Sequence, residues 1–329
     1  MRFTVGEEKA MRRAMALADG VRGTTSPNPW VGAVIVPGRF EGATSPPGGP
    51  HAEAVVLAAA GMRARGATLV CTLEPCSHHG RTPPCTDAIL AAGVRRVVVG
   101  VEDPDPRVNG AGLGILRRAG VDVVVGVCAD EVRAQLAPYL KHRETGRPYV
   151  VLKLAVTLDG RTAAPDGTSR WITGEAARAD AHRLRATCDA VVVGAGTVRA
   201  DDPELTVRAV DTPRQPLRVV LGKAGADAKV HPAVELFGEP GEVLSELGRL
   251  GVLSALVEGG ATVAGAFHRA GLVDRYVLYV APALLGGDDG RPVLAGPGVT
   301  TMADAWRGRI VGIEQLGDDV RIDLAPLPA

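Results

Sequence analysis

Four valine-rich segments, each the length of a strand, limit what this chain can become. "VGAVIV" (31–36), "ATLVCTL" (67–73), "RRVVVGV" (95–101) and "VDVVVGV" (121–127) are apolar almost throughout. Runs like these suit strands buried on both faces. Between them lie "HAEAVVLAAAG" (51–61), "CTDAILAAG" (85–93) and "GLGILRRAG" (112–120), which read as helices, the first two stopped by Gly61 and Gly93. Residues 7–20 are expected to form another helix, with Met11, Ala14, Met15 and Ala18 on one face. Alternating strands and helices predict an α/β layered domain with largely parallel pairing. Aromatics are only 3% of the chain, so Val, Ala and Leu must build the core.

A length of 329 residues allows two domains at roughly 150 residues each. The boundary is expected in "KHRETGRPYV" (141–150), dividing the chain into 1–146 and 147–329. A second α/β pattern follows: strands at 149–156, 189–194, 217–221, 252–257 and 275–281, helices at 175–186, 242–251 and 262–270. The Gly/Ala/Pro-rich segment 222–242 reads as loop with room for one short strand, and the last 40 residues carry no clear pattern.

The 37 basic residues equal the 37 acidic ones, so no global field draws the chain to nucleic acid or a membrane. The first 20 residues are interrupted by charges, and no run approaches the roughly 18 apolar residues of a membrane span. A soluble, cytoplasmic protein is expected. Five cysteines over this length make no disulfide framework.

Chemistry concentrates around "LEPCSHHGRTPPCTDAIL" (73–90). Cys76 follows a predicted strand, and Cys85 opens a predicted helix. His51 and Glu53 start an earlier helix. Loops beyond the carboxyl ends of strands share one rim in an open α/β sheet. Two thiolates and an imidazole form a zinc-type donor set, and three protein ligands leave a fourth position for water. Glu53, two residues from His51, can take a proton from that water and pass it to a leaving amine. The zinc-deaminase signature is H-x-E … P-C-x-x-C. "HAE" and "PC" fit it, but eight residues separate Cys76 from Cys85. Coincidental core cysteines are one alternative. Another is a closed knuckle with His78 or His79 as fourth ligand. Cys71, Cys128 and Cys188 read as small core residues. His142, His182, His231 and His268 read as surface or hydrogen-bonded residues.

"SPNPWVGAVIV", "GGPHAE", "EPCSHHGRTPPC" and "DPDPRVNGAG" together resemble the N-terminal half of the bifunctional riboflavin-biosynthesis deaminase–reductases, where the wider cysteine spacing is usual. The resemblance implies a cytidine-deaminase-like α/β/α fold. It implies zinc-dependent deamination of a diamino-pyrimidinone ribosylamine 5′-phosphate. By position, Asn28, His78, Arg81 and Asp103 would contact that substrate, with Arg81 chemically suited to a phosphate. Where the family usually has "DPNP" this chain has "DPDP", so Asp105 puts an anion in place of an amide.

In the C-terminal half, "DAVVVGAG" runs into "TVRADDPELTVR" and "VLSALVEGG" into "ATVAGAFHRAG". Such Gly-rich turns let a backbone approach a phosphate. Arg199 stands where G-x-G-x-x-G would end in glycine, and no acidic residue closes a following strand, which disfavours a Rossmann fold. These segments and "LKLAVTLDGRTAAPDGTSRWITGEAARADAHRLRA" resemble the family's reductase half. That implies a dihydrofolate-reductase-like domain using NADPH to reduce a ribosyl side chain to ribityl. By position, Ala155, Trp171, Thr197, Asp201 and the turn Gly259, Gly260, Ala261, Thr262, Val263 and Ala264 would line the cofactor. Lys153, Ser169, Arg185, Leu205, Arg208 and Glu258 would face the substrate, with Lys153 or Glu258 as proton donor. Many relatives have Asp after "RVVL", where this chain has Gly222 and Lys223.

A two-activity enzyme, forming a homo-oligomer (dimer or tetramer), is therefore expected. A base deaminase with an appended domain would need a basic patch, which the charge balance disfavours. A zinc-stabilised binding module would need four protein ligands and no Glu53.

Overall fold

The computed structural model of the chain describes residues 3–38, 40–79 and 83–327. They divide into two compact units, one ending at Gly146 and the other beginning at Arg147. In the first, α1 (Val5–Val21) starts at a capping box. The Thr4 hydroxyl accepts from the Glu7 N–H at 3.2 Å, and the Glu7 carboxylate accepts from the Thr4 N–H at 2.7 Å. Then come β1 (Gly32–Val36), β2 (Phe40–Ala43), α2 (Ala52–Ala60), β3 (Thr68–Leu73) and α3 (Cys85–Ala91). After these follow β4 (Arg96–Val101), α4 (Ala111–Arg118), β5 (Asp122–Val125) and α5 (Ala129–Thr145).

The five strands lie in the order β2-β1-β3-β4-β5. β3, β4 and β5 are parallel, but β1 runs antiparallel to both β2 and β3. Largely parallel pairing is thus corrected to a mixed sheet. "FEGA" is too short and polar to announce β2 as a strand. The reversal has a consequence for position. β1 enters the sheet at the rim where β3 and β4 leave it, so residues before β1 and after β3 and β4 meet there.

Most of the charged segment 141–150 is not a linker. α5 runs to Thr145 and ends on Gly146 in the left-handed region (φ 70°). Pro138 inside α5 and its many charges hide the helix from a periodicity argument.

The second unit contains β6 (Tyr149–Thr157), β7 (Arg161–Ala163), α6 (Glu175–Ala186), β8 (Ala190–Gly194), α7 (Ala195–Asp201), β9 (Leu217–Leu221), β10 (Val234–Leu236) and α8 (Pro240–Arg249). It continues with β11 (Ser254–Val257), α9 (Ala261–Arg269), β12 (Arg275–Ala281), β13 (Arg291–Pro292), β14 (Gly308–Leu316) and β15 (Asp319–Pro326). Eight strands form one sheet, β10-β9-β8-β11-β6-β12-β15-β14, while β7 and β13 pair separately. From β10 to β12 the sheet is parallel. The two-residue period of β6 divides its core. Val150, Leu152, Leu154 and Val156 pack with Val243, Leu244 and Leu247 of α8 and Phe267 of α9. Val151 packs on the other side with Ala177 and Leu184 of α6 and Val198 of α7. A fully buried leucine such as Leu244 or Leu247 is worth about 1.5–3 kcal/mol in removed apolar surface.

The segment 222–242 contains one short strand, β10, pairing parallel to β9. The last 40 residues are structured too. β14 and β15 form an antiparallel hairpin that extends the sheet from β12. Charges along β15 hide it. Arg321 donates to Asp323 and to Asp180 of α6, and Tyr279 of β12 donates to the same Asp180 carboxylate at 2.8 Å. No helix among the described residues is long and apolar enough to cross a membrane.

Glu74, just past β3, organises the rim of the first unit. Its buried carboxylate accepts from the N–H groups of Asp103, Gly110, Gly112 and Leu113 at 2.9–3.3 Å. A Cβ on Gly112 would lie 2.2 Å from the Pro75 carbonyl oxygen, so the start of α4 packs directly on the strand end. Glu74→Gln replaces an acceptor oxygen with a donor facing those N–H groups. It is expected to cost about 1–3 kcal/mol, read as a lower urea midpoint of the full chain. An unchanged midpoint would contradict this account of the rim.

Candidate active sites

His51 is the N-cap of α2, and Cys85 is the first residue of α3. Cys76 follows the end of β3. The three donor atoms all lie within 4.8 Å of one another. His51 Nδ1 is 3.5 Å from the Cys76 sulfur and 3.4 Å from the Cys85 sulfur, and the Cys85 backbone N–H donates to the Cys76 sulfur at 3.4 Å. The hydrogen bond from Cys85 holds the Cys76 thiol down to about 4, while Cys85 is held up by the same neighbour. Contact with Cys76 raises the His51 pKa. Both thiols are free of disulfides. Two sulfurs and one imidazole nitrogen converging this closely fit zinc. Among the described residues no fourth His, Cys, Asp or Glu joins the group, which speaks against a closed knuckle using His78 or His79.

Glu53 lies in the first turn of α2 and is buried. Burial first, and the nearby Cys76 sulfur second, push its carboxyl up to about 7. Glu53 shares with His51 and Cys76 a cavity of about 360 Å³, which Asn28, His78 and Asp103 also line. His78 Nδ1 is buried without a hydrogen-bond partner among the described residues. Asp103 accepts from the Tyr139 hydroxyl at 2.9 Å. Arg81 lies outside the described residues. Sequence reasoning missed Glu74, Arg107, Tyr139 and Arg143 on the cavity wall. Arg107 stood in plain view within "DPDPRVNGAG". Tyr139 and Arg143 are four residues apart on α5, and no helix was expected there to bring them to one face.

The second site gathers along the middle of β6 and beyond the ends of β8 and β11. Glu258 follows β11. It takes two hydrogen bonds from Arg185 of α6, at 2.9 and 3.0 Å, and Arg185 also donates to the Thr206 carbonyl at 2.7 Å. Burial pushes Glu258 up, but the charges of Arg185 and Lys153 outweigh it and hold the carboxyl below its ordinary value. Lys153 of β6 is buried, and burial pushes its amine down. Its Nζ lies 5.7 Å from the centre of the Tyr279 ring. His182, one turn before Arg185, accepts from the Arg208 N–H at 3.3 Å. Sequence reasoning missed His182 and Tyr279. The Arg208 side chain itself pairs with Glu204. Leu205 is buried with φ +56°.

Gly259 and Gly260 lead into α9, whose first turn holds Ala261, Thr262, Val263 and Ala264. A Cβ on Gly259 would lie 2.6 Å from the Val263 Cβ, so only glycine permits this approach. The Gly260 N–H donates to Thr197 of α7 at 3.3 Å, joining the two Gly-rich turns. Asp201 ends α7, and its carbonyl accepts from Arg170 at 2.8 Å, tying in the segment that carries Ser169 and Trp171. Trp171 is 70% exposed, too open for a core role, with the Arg178 guanidinium 4.6 Å from its ring centre. Ala155 lies within β6, opposite Tyr279. Cys71 and Cys188 are buried as expected, and Cys128 is half-buried.

With the geometry in place, comparison with known proteins identifies the family. Residues 5–101 match the cytidine and deoxycytidylate deaminase zinc-binding region, and residues 148–322 match the RibD C-terminal domain. The riboflavin biosynthesis protein RibD of Mycobacterium tuberculosis is 46% identical, over 98% of this chain and 99% of its own length. The chain belongs to the RibD family. The Escherichia coli member is 41% identical over 97% of this chain and 99% of its own length. The structure of Acinetobacter baumannii RibD superposes with a TM-score of 0.91 at 39% identity, covering 98% of this chain and 99% of that one. A Thermotoga maritima structure, described as a diaminohydroxyphosphoribosylaminopyrimidine deaminase/5-amino-6-(5-phosphoribosylamino)uracil reductase, gives 0.88 at 34% identity, covering 98% and 99%. This chain is accordingly a bifunctional riboflavin-biosynthesis enzyme, with a cytidine-deaminase-like zinc-binding half and a reductase half that takes a nicotinamide cofactor.

Removing Arg185 would leave Glu258 buried beside Lys153 alone. Arg185→Met is expected to lower stability by about 3–5 kcal/mol at neutral pH. In the wild type, the Glu258 contribution is present above the ordinary carboxyl value and fades as pH falls through its lower folded value. In the variant the folded value rises, so the gap between the two proteins should narrow on acidification. Urea unfolding across a pH series reads it, and a constant gap would show that the ion pair does not set it.

Proposed function

We propose that residues 1–146 form the deaminase domain and residues 147–329 the reductase domain, acting in that order on a phosphorylated pyrimidine. The observation that supports this most is the close set of His51, Cys76 and Cys85 beside a buried carboxylate, Glu53, in one cavity. His51, Cys76 and Cys85 would hold zinc. When bound, zinc supplies Lewis acidity that brings the pKa of a water toward neutrality. Glu53 takes a proton from the attacking water and returns it to the departing nitrogen. Water adds at the amino-bearing carbon of the diaminopyrimidinone, the carbon–nitrogen bond breaks, and ammonia leaves. A buried carboxyl pushed up to about 7 suits that exchange, because it can hold or release a proton near neutrality. Asn28, His78, Arg81 and Asp103 would orient the ring and ribose phosphate.

In the reductase domain NADPH, when bound, would supply a hydride for the imine carbon of the ring-opened ribosylamine. Lys153 is the proton donor in this proposal. Glu258 is held ionised by Arg185 and so has no proton to give, whereas burial makes the Lys153 ammonium more acidic. Lys153, Ser169, Arg185, Leu205, Arg208 and Glu258 would face the substrate. Ala155, Trp171, Thr197, Asp201 and Gly259 to Ala264 would line the cofactor. A cytoplasmic homo-oligomer, dimer or tetramer, completes the proposal.

Glu53→Gln keeps the shape and removes the proton carrier. Deamination should be abolished, with zinc content by elemental analysis and NADPH oxidation on the deaminated substrate both retained. Persisting deamination would overturn the role of Glu53. Failure of the wild type to oxidise NADPH on that substrate would overturn the reductase assignment.

A further inference from the structure

The reductase half contains a buried polar network that the proposed reaction leaves without a task. Tyr279 of β12 and Arg321 of β15 stand opposite each other in register, and Asp180 of α6 reaches both. The Tyr279 hydroxyl donates to Asp180 Oδ2 at 2.8 Å, and Arg321 Nη1 donates to the same oxygen at 2.7 Å. Arg183 donates to the other Asp180 oxygen at 3.2 Å. Arg321 is held in turn by Asp323 at 2.9 Å, and Arg275 engages that carboxylate at 2.8 Å. Pairing and hydrogen bonding of this kind are what allow carboxylates to be buried as ions.

The network fixes one aromatic ring. Tyr279 is 1% exposed, and its strand is paired with β6 on one side and β15 on the other. Lys153 stands opposite Val277, two residues before Tyr279, so the lysine and the tyrosine leave the same face of the sheet. Lys153 Nζ lies 5.7 Å from the ring centre. At that distance the quadrupole of the ring attracts an ammonium over its face. Glu258 beyond β11 favours the ammonium, while Arg185 of α6 disfavours it, and His182 of α6 lies within reach of the same charges. Burial first, and then the bond to Asp180, raise the Tyr279 pKa, so the phenol keeps its proton. Its hydroxyl is committed to Asp180, and what it presents to Lys153 is the ring.

We propose that Tyr279 is a positioning residue for the reduction: its ring, anchored through its hydroxyl to Asp180 and Arg321, supports the Lys153 ammonium beside Glu258. This rests on Lys153 as the proton donor and deepens that reading. It also gives the last strand, β15, a part in the reaction, because Arg321 holds the carboxylate that holds the ring. Losing the ring favours the neutral amine of Lys153. Losing the hydroxyl alone leaves the ring in the core and costs stability.

The chain has five lysines, Lys9, Lys141, Lys153, Lys223 and Lys229. Carbon NMR of the full chain labelled at lysine Cε can therefore follow the titration of Lys153, assigned by the resonance that Lys153→Met loses. In Tyr279→Leu the Lys153 pKa should fall by about 0.5–1.5 pH units. In Tyr279→Phe it should stay near the wild-type value, although the thermal midpoint drops in both variants. A ring-fluorinated phenylalanine at position 279 keeps the shape and weakens the quadrupole. It should lower the Lys153 pKa relative to Tyr279→Phe, and it decides the matter where Tyr279→Leu does not fold. A Lys153 titration that does not follow the ring would overturn the proposal. The alkaline limb of kcat for NADPH oxidation on the deaminated substrate should move to lower pH in step with the Lys153 pKa, because a donor must hold its proton. A titration that follows the ring while this limb stays put would instead overturn Lys153 as the proton donor.

Discussion

Parallel strands cannot be joined by a tight turn, and every crossover needs a helix or a long loop. That requirement organises both halves of this chain. Segments leaving the carboxyl ends of neighbouring strands collect on one rim, and helix starts collect with them. In the first half the rim gathers Cys76 after β3, Asp103 and Asp105 after β4, and the starts of α2 and α3. The antiparallel β1 delivers Asn28 to the same edge, because it enters where its neighbours exit. In the second half the ends of β8 and β11, which pair side by side, bring the two Gly-rich turns together.

Within that frame, charge pairing separates carboxylates that look alike in the sequence. Among the described residues no arginine or lysine is bonded to the buried Glu53, and its carboxyl rises to about 7. Glu258 is buried too, but Arg185 and Lys153 hold it ionised. The first can exchange a proton near neutrality and the second serves as a fixed negative charge. Glu74 and Asp105 follow a third pattern. They are structural anions, one satisfied by backbone N–H groups and the other by arginine, and both shape the deaminase cavity.

Much of the site was legible beforehand because its motifs are local. "HAE" and "PC" place ligand and carboxylate within a few residues of helix starts, and glycine runs announce close backbone approach. The resemblance to the deaminase–reductases added the remaining positions. What escaped had no local signature. β2 is short and polar, α5 is interrupted by Pro138 and carries many charges, and β15 hides among charges that pair with α6. Tyr139, Arg143, His182 and Tyr279 earn their places through partners far along the chain, so no window of sequence reveals them.

The sequence alone therefore determined the two α/β halves and the candidate donors for a metal, because periodicity and motif spacing are properties of neighbouring residues, and its resemblance to the family pointed to the chemistry of each half. Only the tertiary structure decided the antiparallel entry of β1, the burial of Lys153 beside an Arg185-paired Glu258, and the pairing of Asp105 with Arg107. Those depend on which charges meet across long stretches of chain and on how little water lies between them, and a linear sequence contains neither distance nor burial.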